Sequence, residues 1–597
     1  MIQQASLLFI LLSSLIFPAA AAENSAITWR QWSPQVFSEA KASGKHIILN
    51  VEAVWCHWCH VMDQKTYSDP QVGAAVDKDF IAIKVDHDAH PEIAARYRAW
   101  GWPATIFYNS DGVEIVKRAG YIPPDSMTAL LNAIVRDPSP ENTGSLIAVT
   151  TQRSALIPAD KANLIAMHKR SYDAEYGSLA IAMKFIDPDS VEYALLEGMN
   201  GDESELARAN KTLTAALKLE DPEWSGFYQY STHGDWDHPH FEKIMRSQTR
   251  SIRLYAQAYA ATKNPAYQAA AERTVGYLNR FLKAPDGGFY TSQDADLIQG
   301  QKSAQYFALK DQQRIALGIP RVDTHRYTKE NATLISALTR LYSATGDTKI
   351  KAQAISIGEW LLANRQRSAG GFNHGSSDSK SRDDAKLFLA DNISALAAFI
   401  DLYEISADRQ WLRYATASAD VIREKIASPD VVGLPAASIG AQDPLAPYVD
   451  LEENIQATRA INTLFHYSGR EIDKVLAEKS MAYISSSEVI ASRFTEAGIL
   501  LADAELNRDP LHLVVVGSKS DVKAQKLFSA ALATSYQSYR RIEWWDRSEG
   551  ALINHDVEYP SLAKAAAFVC NDKRCSTPIY KANEIQEVIA LIEGTQK

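Results

Sequence analysis

Cysteine is scarce in this sequence. Its 597 residues contain only Cys56, Cys59, Cys570 and Cys575. So low a content excludes a disulfide-rich scaffold, which small secreted domains use in place of a large core. The four residues form two close pairs near opposite ends of the chain. In an oxidising compartment, each pair is expected to form a local disulfide.

Long basic blocks are also missing, and the formal net charge is -10. This charge balance argues against nucleic acid, and against an anionic membrane surface, as a partner. After residue 17, no apolar run approaches the roughly 20 residues that a membrane-spanning helix needs. The sequence therefore predicts no nucleic-acid partner and no membrane association once the N-terminal segment is removed.

The first 22 residues have the pattern of a secretory signal peptide. Ala5 to Phe17 is an apolar segment of suitable length, and Ala20 to Ala22 provide small residues for cleavage. Met1 to Gln4 lack the usual Lys or Arg, so a retained anchor or a buried N-terminal helix is the alternative. No cysteine follows the segment, which argues against a lipid anchor. We expect a periplasmic or secreted protein.

The rest of the chain divides into three regions with different patterns. Its apolar content of 46% and charged content of 22% are typical of a soluble globular protein. Residues 23–140 alternate helix and strand signals, residues 150–507 have the period of long amphipathic helices, and residues 508–597 return to an α/β pattern. No low-complexity linker separates the regions, so we expect them to pack together.

The first region predicts a small α/β fold. The predicted strands are His46 to Val51, Phe80 to Asp86, Ala104 to Tyr108 and Glu114 to Lys117. Helix signals separate the first three strands, and Asp111-Gly112 indicates a turn before the fourth. A last helix is predicted over Pro124 to Val135.

The second region contains a repeat of helical hairpins. In each repeat an apolar helix ends near a tyrosine, a short polar turn follows, and a second helix begins; the tyrosines are Tyr259, Tyr342, Tyr403 and Tyr467. Turns with a Gly-Phe pair recur between the hairpins. Repeated hairpins of this length favour an α/α toroid, and an open helical solenoid is the alternative.

The stretch AVWCHWCHVM, residues 53–62, holds the densest group of reactive side chains. It has three interpretations. Cys56 and Cys59 form a C-x-x-C redox pair; together with His60 they form a C-x-x-C-H haem-attachment motif; and with His57 and His60 they offer four zinc ligands.

The redox interpretation agrees best with the flanking elements. A strand ends at Val51, so Cys56 lies where a helix would begin, and backbone N–H groups there stabilise a thiolate. Cys59 lies one turn further in and is expected to be less exposed. Cys56 would then attack a substrate disulfide and Cys59 would resolve the mixed disulfide. A strand, a C-x-x-C helix and a strand that follows a proline resemble a thioredoxin domain, and in that fold Pro103, just before the third strand, would be a cis proline facing the cysteines.

Four further residues are expected to tune this pair. His57 and Trp58 lie between the cysteines, and His57 is a candidate for stabilising the Cys56 thiolate. Asn50 occupies the strand position, six residues before Cys56, at which a thioredoxin has a buried carboxylate. Glu52 lies on the same strand face and is a candidate replacement.

Haem, zinc and a purely structural disulfide are the alternatives. A complete thioredoxin-like unit leaves no evident haem pocket, and adjacent helical positions diverge too far for all four side chains to reach one zinc ion. We therefore predict no cofactor and no metal. An inert disulfide is the remaining alternative.

Several motifs together resemble one family. They are WCHWCHVM, GFYQYSTHGDWDHPHFEK (residues 226–243), GGFYTSQDAD, YDAEYG (172–177) and FVCNDKRCSTP (568–578). They are similar to motifs of thioredoxin-like proteins related to the spermatogenesis-associated protein. The resemblance implies a thioredoxin-like domain, then an (α/α)6 toroid of the six-hairpin glycosidase and epimerase type, then a small C-terminal α/β region.

Polar residues in the toroid indicate a second candidate site. Carboxylates, histidines and aromatic residues at the mouth of a toroid suit binding or acid–base chemistry on a sugar. The alternative is that they cap helices and join hairpins. The candidates are His233, Asp235, Asp237, His240, Glu242, Asp294 and Asp296.

The leading prediction is an exported thiol–disulfide oxidoreductase fused to the toroid. Its partner would be a disulfide-containing protein or an upstream redox protein. The second prediction is a carbohydrate-active or carbohydrate-binding toroid with a structural thioredoxin-like domain. A third is an interaction protein without turnover. The pair Cys570 and Cys575 either forms a structural disulfide or exchanges with Cys56 and Cys59 in an internal relay.

Overall fold

The computed structural model describes residues 26–141, 149, 153–375, 386–534 and 539–594. The predicted signal segment, residues 1–22, lies outside the described residues. Within the described ranges, no helix is both long enough and apolar enough to cross a membrane.

The N-terminal unit has a four-stranded sheet with helices on both faces. Strand order is β2-β1-β3-β4, with β1 parallel to β2 and antiparallel to β3, which is the thioredoxin topology. The predicted strands are confirmed, with β4 two residues longer than expected. The elements are α1 (Pro34–Ser43), β1 (His46–Glu52), α2 (His57–Lys65), α3 (Pro70–Asp79), β2 (Phe80–Asp86), α4 (Pro91–Tyr97), β3 (Ala104–Tyr108), β4 (Glu114–Ala119) and α5 (Pro124–Arg136).

Strand β1 is the centre of this unit because both of its faces are buried. Successive side chains point to opposite faces of a sheet. Ile48 packs with Phe107 and Met62 on one face, and Leu49 packs with Ile106 on the other. The end of β1, where the C-x-x-C motif begins, is therefore held on a rigid support.

The central region consists of helical hairpins with short strands at their connections. In chain order the elements are α6 (Pro158–Arg170), α7 (Pro188–Met199), α8 (Glu203–Ala216), β5 (Tyr230–Ser231), β6 (Pro239–His240), β7 (Lys243–Ile244), α9 (Met245–Thr262), α10 (Pro265–Tyr277), β8 (Ser292–Gln293), α11 (Ala304–Phe307), α12 (Asp311–Leu317), β9 (Val322–Asp323), α13 (Thr328–Thr345), α14 (Thr348–Asn364), α15 (Leu389–Ser406), α16 (Arg409–Val421), α17 (Leu451–Ser468), α18 (Glu471–Ile484), α19 (Ser487–Ala491) and α20 (Ala497–Leu506).

Six of these helices form a closed inner ring. Helices α7, α9, α13, α15, α17 and α20 each contact the next, and α20 contacts α7 again. Helices α8, α10, α14, α16 and α18 pack outside their inner partners, and α6 pairs with α20. The region is therefore an (α/α)6 toroid, as predicted, and not an open solenoid. Its first and last helices complete the sixth hairpin.

The recurrent Gly-Phe turns join neighbouring hairpins. Asn331 on α13 accepts the N–H of Phe289 at 2.7 Å and donates to its carbonyl at 3.1 Å. Gln248 on α9 makes the same pair of bonds with Phe227. Gly288 has φ +70°, and a Cβ there would lie 2.7 Å from Trp360. These turns are therefore structural, since each outer helix is followed by a turn that the next inner helix holds.

The C-terminal unit repeats the topology of the N-terminal one. Its strand order is β11-β10-β12, with β10 parallel to β11 and antiparallel to β12. A bridge from Ala567 to Ile579 extends the sheet beyond β12, on the side where β4 lies in the first unit. The elements are β10 (Leu511–Val516), α21 (Val522–Leu532), β11 (Arg540–Trp545), β12 (Ala566–Cys570) and α22 (Ile585–Glu593).

The two α/β units lie at opposite ends of the toroid. Helix α17 begins beside Arg98, whose guanidinium is 3.6 Å from Asp450, and near its end the Tyr467 hydroxyl accepts the N–H of Ile542 at 3.0 Å. Helix α15 ends in the same way, with the Tyr403 hydroxyl donating to Glu543 at 2.8 Å. The inner helices thus begin at the thioredoxin-like unit and end at the C-terminal unit.

Candidate functional site

Cys56 and Cys59 are joined by a disulfide at the start of α2. Cys56 is the N-cap residue, and its Sγ accepts the backbone N–H of Cys59 at 3.1 Å. The predicted strand, C-x-x-C and helix arrangement is confirmed. An N–H group already aimed at this sulfur would stabilise a thiolate after reduction, because the N-terminus of a helix carries a partial positive charge.

The disulfide is buried at the junction with the toroid. Cys56 is 4% exposed and Cys59 is 2% exposed. They pack with Ala53, Trp55 and Trp102 of their own unit and with Ile244 of the toroid. Cys59 is the less exposed of the two, as expected, but the difference is small because β7 of the toroid covers the side on which a thioredoxin disulfide is reached.

The peptide bond between Trp102 and Pro103 is cis, as predicted. Pro103 is buried directly before β3, and the Trp102 ring packs against the cysteine cluster. The proline segment and the disulfide therefore lie on the same side of the thioredoxin-like unit.

A polar network lies on β1 behind the disulfide. Asn50 is 1% exposed, donates to Oε2 of Glu52 at 2.9 Å and accepts the Tyr67 hydroxyl at 3.3 Å. Lys84 Nζ lies 3.1 Å from Glu52 and 2.8 Å from Asp63. Asn50 thus occupies the thioredoxin carboxylate position as a neutral hydrogen-bonding group, and Glu52 is the ionisable neighbour, balanced by Lys84.

Trp58 lies on the opposite side of α2. It is 39% exposed, and its ring stacks on Tyr121 with centroids 6.1 Å apart. Its ring also contacts the His57 ring with centroids 5.2 Å apart, so Trp58 is a partly exposed neighbour of the histidine that contacts the toroid.

The two histidines of the motif contact carboxylates of the toroid. His57 Nδ1 lies 2.8 Å and 2.9 Å from the two Asp296 oxygens. His60 Nδ1 lies 3.3 Å from Asp296, and its Nε2 lies 3.1 Å from the Val54 carbonyl and 3.7 Å from Asp294. Asp294 and Asp296, predicted as part of a sugar site, therefore belong to the surroundings of the disulfide.

Burial and charge act against each other in this group. Burial lowers the pKa of His60, but the hydrogen bond to Asp296 and the two carboxylates outweigh it and raise that pKa. Burial raises the pKa of Asp294 to about 7, although His60 opposes the shift. Burial also acts to raise the pKa of Asp296, and the hydrogen bonds from His57 and His60 outweigh it and lower that pKa. The two carboxylates therefore differ in acidity.

The structure separates the other predicted toroid residues from this group. His233, Asp235 and Asp237 lie on the loop between β5 and β6, where Asp235 pairs with His238 at 2.8 Å and Asp237 pairs with Lys218 at 2.8 Å. His233 has a positive φ of 63°. This loop is held on the outside of the toroid, because its Trp236 donates to the Tyr176 carbonyl at 2.7 Å.

His240, in β6, and Glu242, just before β7, lie in the chain between this loop and the strand that covers the disulfide. The His240 ring stacks on Tyr230 with centroids 4.3 Å apart, and its Nδ1 is 3.9 Å from Glu242. Glu242 is buried, and its Oε2 has no hydrogen-bond partner among the residues that the structure describes. The charge of Glu242 acts in the same direction as burial and raises the pKa of Asp294.

The toroid encloses a cavity of about 770 Å³ that none of the seven predicted residues lines. Its wall is strongly charged, and both α/β units contribute to it through Arg98 and Arg540. Arg246, Arg250 and Arg253 line it from α9. Their spacing of four and three residues places them on one helical face, which is the signal in the sequence that would have indicated this cavity.

The second cysteine pair also forms its own disulfide, between Cys570 and Cys575. This disulfide joins Cys570, at the end of β12, to the following segment, which pairs with β12. The two cysteines are also paired through their backbones. The local structural disulfide is thereby confirmed. The relay between the two pairs is not, because they belong to units at opposite ends of the toroid.

Comparisons with known proteins agree with this architecture. The family model Thioredox_DsbH, described as "Protein of unknown function, DUF255", matches residues 17–136. Spermatogenesis-associated protein 20 of Mus musculus is 27% identical over 310 residues, which cover 45% of this chain and 39% of that protein. Residues 17–136 therefore match this thioredoxin-like family model, and the chain is similar to the spermatogenesis-associated proteins.

Two other similarities concern single parts of the chain. Thioredoxin H7 of Arabidopsis thaliana is 32% identical over 98 residues, covering 16% of this chain and 70% of that protein. A solved structure of D-mannose isomerase is 12% identical with a TM-score of 0.46, covering 59% of this chain and 97% of that chain. The chain thus spans about two fifths of the length of the spermatogenesis-associated relative. Its identity to the thioredoxin, 32%, is higher than its identity to that relative, 27%.

Proposed function

We propose that this protein is a thiol–disulfide oxidoreductase whose reactive pair works at the junction with the toroid. The observation that carries the proposal is the Cys56–Cys59 disulfide at the start of α2, with an N–H group aimed at the Cys56 sulfur. The thioredoxin topology and the similarity to a thioredoxin support it further.

The reaction follows ordinary thiol–disulfide exchange. A substrate thiolate attacks Cys56 Sγ, the Cys56–Cys59 bond breaks, and Cys59 leaves as a thiolate that takes up a proton. A second substrate thiolate then attacks the mixed disulfide and releases Cys56. The substrate dithiol loses two electrons and two protons, and the cysteine pair gains them. The same steps in reverse reduce a substrate disulfide.

Access to the sulfurs requires the junction to open. Ile244 covers the disulfide, and His57 and His60 on the same helix contact Asp296. A protein substrate therefore reaches Cys56 after this contact separates, whereas a small thiol needs less movement. We propose a disulfide-containing protein or an upstream redox protein as the partner, in an oxidising compartment outside the cytoplasm. The predicted signal segment and the second, local disulfide support export.

An insulin-reduction assay on residues 23–597 tests the proposal. Cys56→Ser should abolish turnover, because the attacking cysteine is lost and Cys59 alone cannot form the intramolecular disulfide. The Cys570→Ser, Cys575→Ser double variant is the matched control and should retain turnover, since that pair lies in the other unit. Turnover that is unchanged by Cys56→Ser would sink the idea. The reduction potential of the Cys56–Cys59 pair then assigns the direction of electron flow.

A second candidate function is the binding of a small acidic carbohydrate in the central cavity. Arg540 lines this cavity with a buried side chain, and its three guanidinium nitrogens have no hydrogen-bond partner within the described ranges. The nearest carboxylate, Glu593, is 3.9 Å away. Burial lowers the pKa of Arg540 to about 10, so the group stays charged at neutral pH and suits an anionic ligand.

Calorimetric titration with sugar acids and their neutral counterparts tests this second candidate. Binding of the acid form alone, weakened by Arg540→Gln, is the expected result. Arg547→Gln, at an exposed position outside the cavity lining, is the control. Equal binding of acid and neutral sugars, or none, would remove the argument from Arg540.

A further inference from the structure

We propose that His60, Asp294 and Asp296 form a binding site for a divalent transition-metal ion between the C-x-x-C helix and the toroid. One ligand atom from each of these three residues lies within 4.8 Å of the others. Donors that share one ion at about 2.0–2.2 Å lie at most about 4.4 Å apart, so small side-chain shifts bring the three into range. His57 Nδ1, at 2.8 Å from Asp296, lies beside this group without belonging to it.

An unsatisfied carboxylate oxygen points to a ligand. The Asp294 side chain is 0% exposed, and its Oδ2 has no hydrogen-bond partner among the described residues. Its other oxygen accepts the Asp296 N–H at 3.0 Å, which orients the carboxylate. His60 Nε2 lies 3.7 Å from Oδ2, beyond hydrogen-bond distance. A buried carboxylate oxygen without a donor is costly, and a bound cation would satisfy it.

The hydrogen bonds of His60 also suit a ligand. Its Nε2 donates to the Val54 carbonyl at 3.1 Å, so Nδ1 is the nitrogen left to face Asp296 Oδ2 at 3.3 Å. A neutral ring in that tautomer presents a lone pair to a carboxylate, and a cation between the two removes the repulsion. A histidine ligand whose second N–H is held by a backbone carbonyl is the usual outer support of a metal site. Asp296 is held similarly, by the Gly300 N–H at 2.8 Å.

The donor types select the class of metal. One imidazole nitrogen and two carboxylates suit Zn²⁺, Mn²⁺ or Fe²⁺, whereas Ca²⁺ and Mg²⁺ prefer oxygen ligands alone. The cysteines take no part, since both sulfurs are in the disulfide. This site therefore differs from a zinc site that uses the cysteines of the motif. An ion here would tie α2 to the segment after β8 and hold the toroid over the disulfide.

Metal titration of the untagged, oxidised full mature chain, depleted of metal with a chelator, tests the inference. We expect one equivalent of Zn²⁺ or Mn²⁺ to bind by calorimetry, and Co²⁺ to show visible d–d absorption bands of nitrogen and oxygen ligation without a thiolate band. The Cys56→Ser, Cys59→Ser double variant should bind equally. Asp294→Asn and His60→Gln should each weaken binding at least about tenfold.

Matched variants on the outer loop provide the control. Asp235→Asn and His238→Gln remove a similar pair and should leave binding unchanged. Thermal unfolding and circular dichroism show whether each variant folds. In case a site variant does not fold, anomalous scattering from crystals of the parent soaked in Zn²⁺ gives an independent measurement. These readouts need no turnover, so they stand apart from the redox proposal.

One equivalent that depends on Asp294 and His60, or an anomalous peak among the three side chains, supports the site. The absence of saturable binding, binding that survives both substitutions, or a soaked crystal without a peak there would overturn it. In that case the two histidines are hydrogen-bond partners of Asp296 and nothing more.

Discussion

His57 Nδ1 lies 2.8 Å from Asp296 Oδ1, although the two residues are 239 positions apart in the chain. Both side chains are shielded from solvent, with exposures of 11% and 2%. The contact joins the residue next to the reactive cysteine to the toroid. The environment of the Cys56–Cys59 disulfide is therefore made by two domains together, and its reactivity depends on how firmly they are held.

Truncation of Ile244 should speed the reduction of the disulfide. Ile244→Ala removes apolar contact from the cover over Cys56. A loss of about 1 kcal/mol in that contact would increase the open population about fivefold. We expect the rate of reduction by glutathione to increase more than the rate of reduction by dithiothreitol, because the bulkier thiol needs a wider opening of the junction. Stopped-flow measurement of both rates checks this, with Ile319→Ala at an exposed position as control; equal rates in parent and variant would contradict a cover at Ile244.

A carboxylate at position 50 should destabilise the thioredoxin-like unit. Asn50→Asp replaces the donor to Glu52 Oε2, at 2.9 Å, by a second acceptor. We expect a loss of about 1–3 kcal/mol at neutral pH, with part of it recovered in acid when the new carboxyl is protonated. Urea unfolding at two pH values measures the effect. Asn109→Asp is the control, because the Asn109 Oδ1 already accepts two N–H groups that a carboxylate also accepts.

The amide that holds a Gly-Phe turn should contribute measurably to the stability of the toroid. Asn331→Ala leaves the N–H and the carbonyl of Phe289 without their partner in a buried place. We expect a loss of about 2–5 kcal/mol in the free energy of unfolding, since two buried backbone groups are affected. Asn279→Ala, on an exposed surface, should change stability by less than about 0.5 kcal/mol. Similar losses for both variants would argue against the role of the turn.

Removal of the C-terminal disulfide should affect stability and leave redox chemistry alone. Cys570 and Cys575 are five positions apart, so the cross-link closes a very short loop. The chain-entropy estimate for such a loop is about 2 kcal/mol. We expect the double serine variant to lose up to that amount and to keep the parent reduction potential at Cys56–Cys59. A shifted potential would revive the internal relay between the two pairs.

Glu404 should make stability fall as the pH rises. Burial raises the pKa of Glu404, on α15, to about 7 from 4.5, and Arg340 opposes the shift. Between these values the folded state binds more protons than the unfolded state, so the free energy of unfolding decreases with pH. Glu404→Gln should therefore be more stable than the parent above pH 7, and this advantage should vanish below about pH 4.5. Denaturant unfolding across pH, with exposed Glu359→Gln as control, measures the difference.

Much of the thioredoxin-like unit is predictable because its signals are local. The run His46 to Val51, the C-x-x-C after it and Pro103 before β3 each depend on neighbouring residues, and the structure has each of them as expected. The tyrosines at the ends of the inner helices and the Gly-Phe turns likewise indicate a repeat whose period can be recognised from the sequence alone. The local disulfide at Cys570 follows from the short spacing of its pair.

The candidate site was only half predictable, because its second half comes from elsewhere in the chain. Asp294 and Asp296 follow a Gly-Phe turn, and their residue types fit a sugar site as well as a histidine contact. Only the packing of the thioredoxin-like unit on the toroid brings them to α2. The arginines of the central cavity were missed for a related reason. A charged helical face usually indicates exposure to solvent, whereas in a closed ring of helices such a face can line the central cavity.

By itself the sequence determined the elements: a redox pair at the start of a helix, a series of helical hairpins and a second cysteine pair able to close locally. Periodicity, turn chemistry and short spacings act between near neighbours, so no tertiary structure is needed to recognise them. Tertiary structure alone decided that α20 closes the ring on α7, that the C-terminal unit repeats the thioredoxin topology, and that the disulfide lies beneath the toroid. Each of these depends on which buried surfaces pack together across hundreds of residues. An apolar pattern predicts that a face is buried, but it does not predict which other face packs against it.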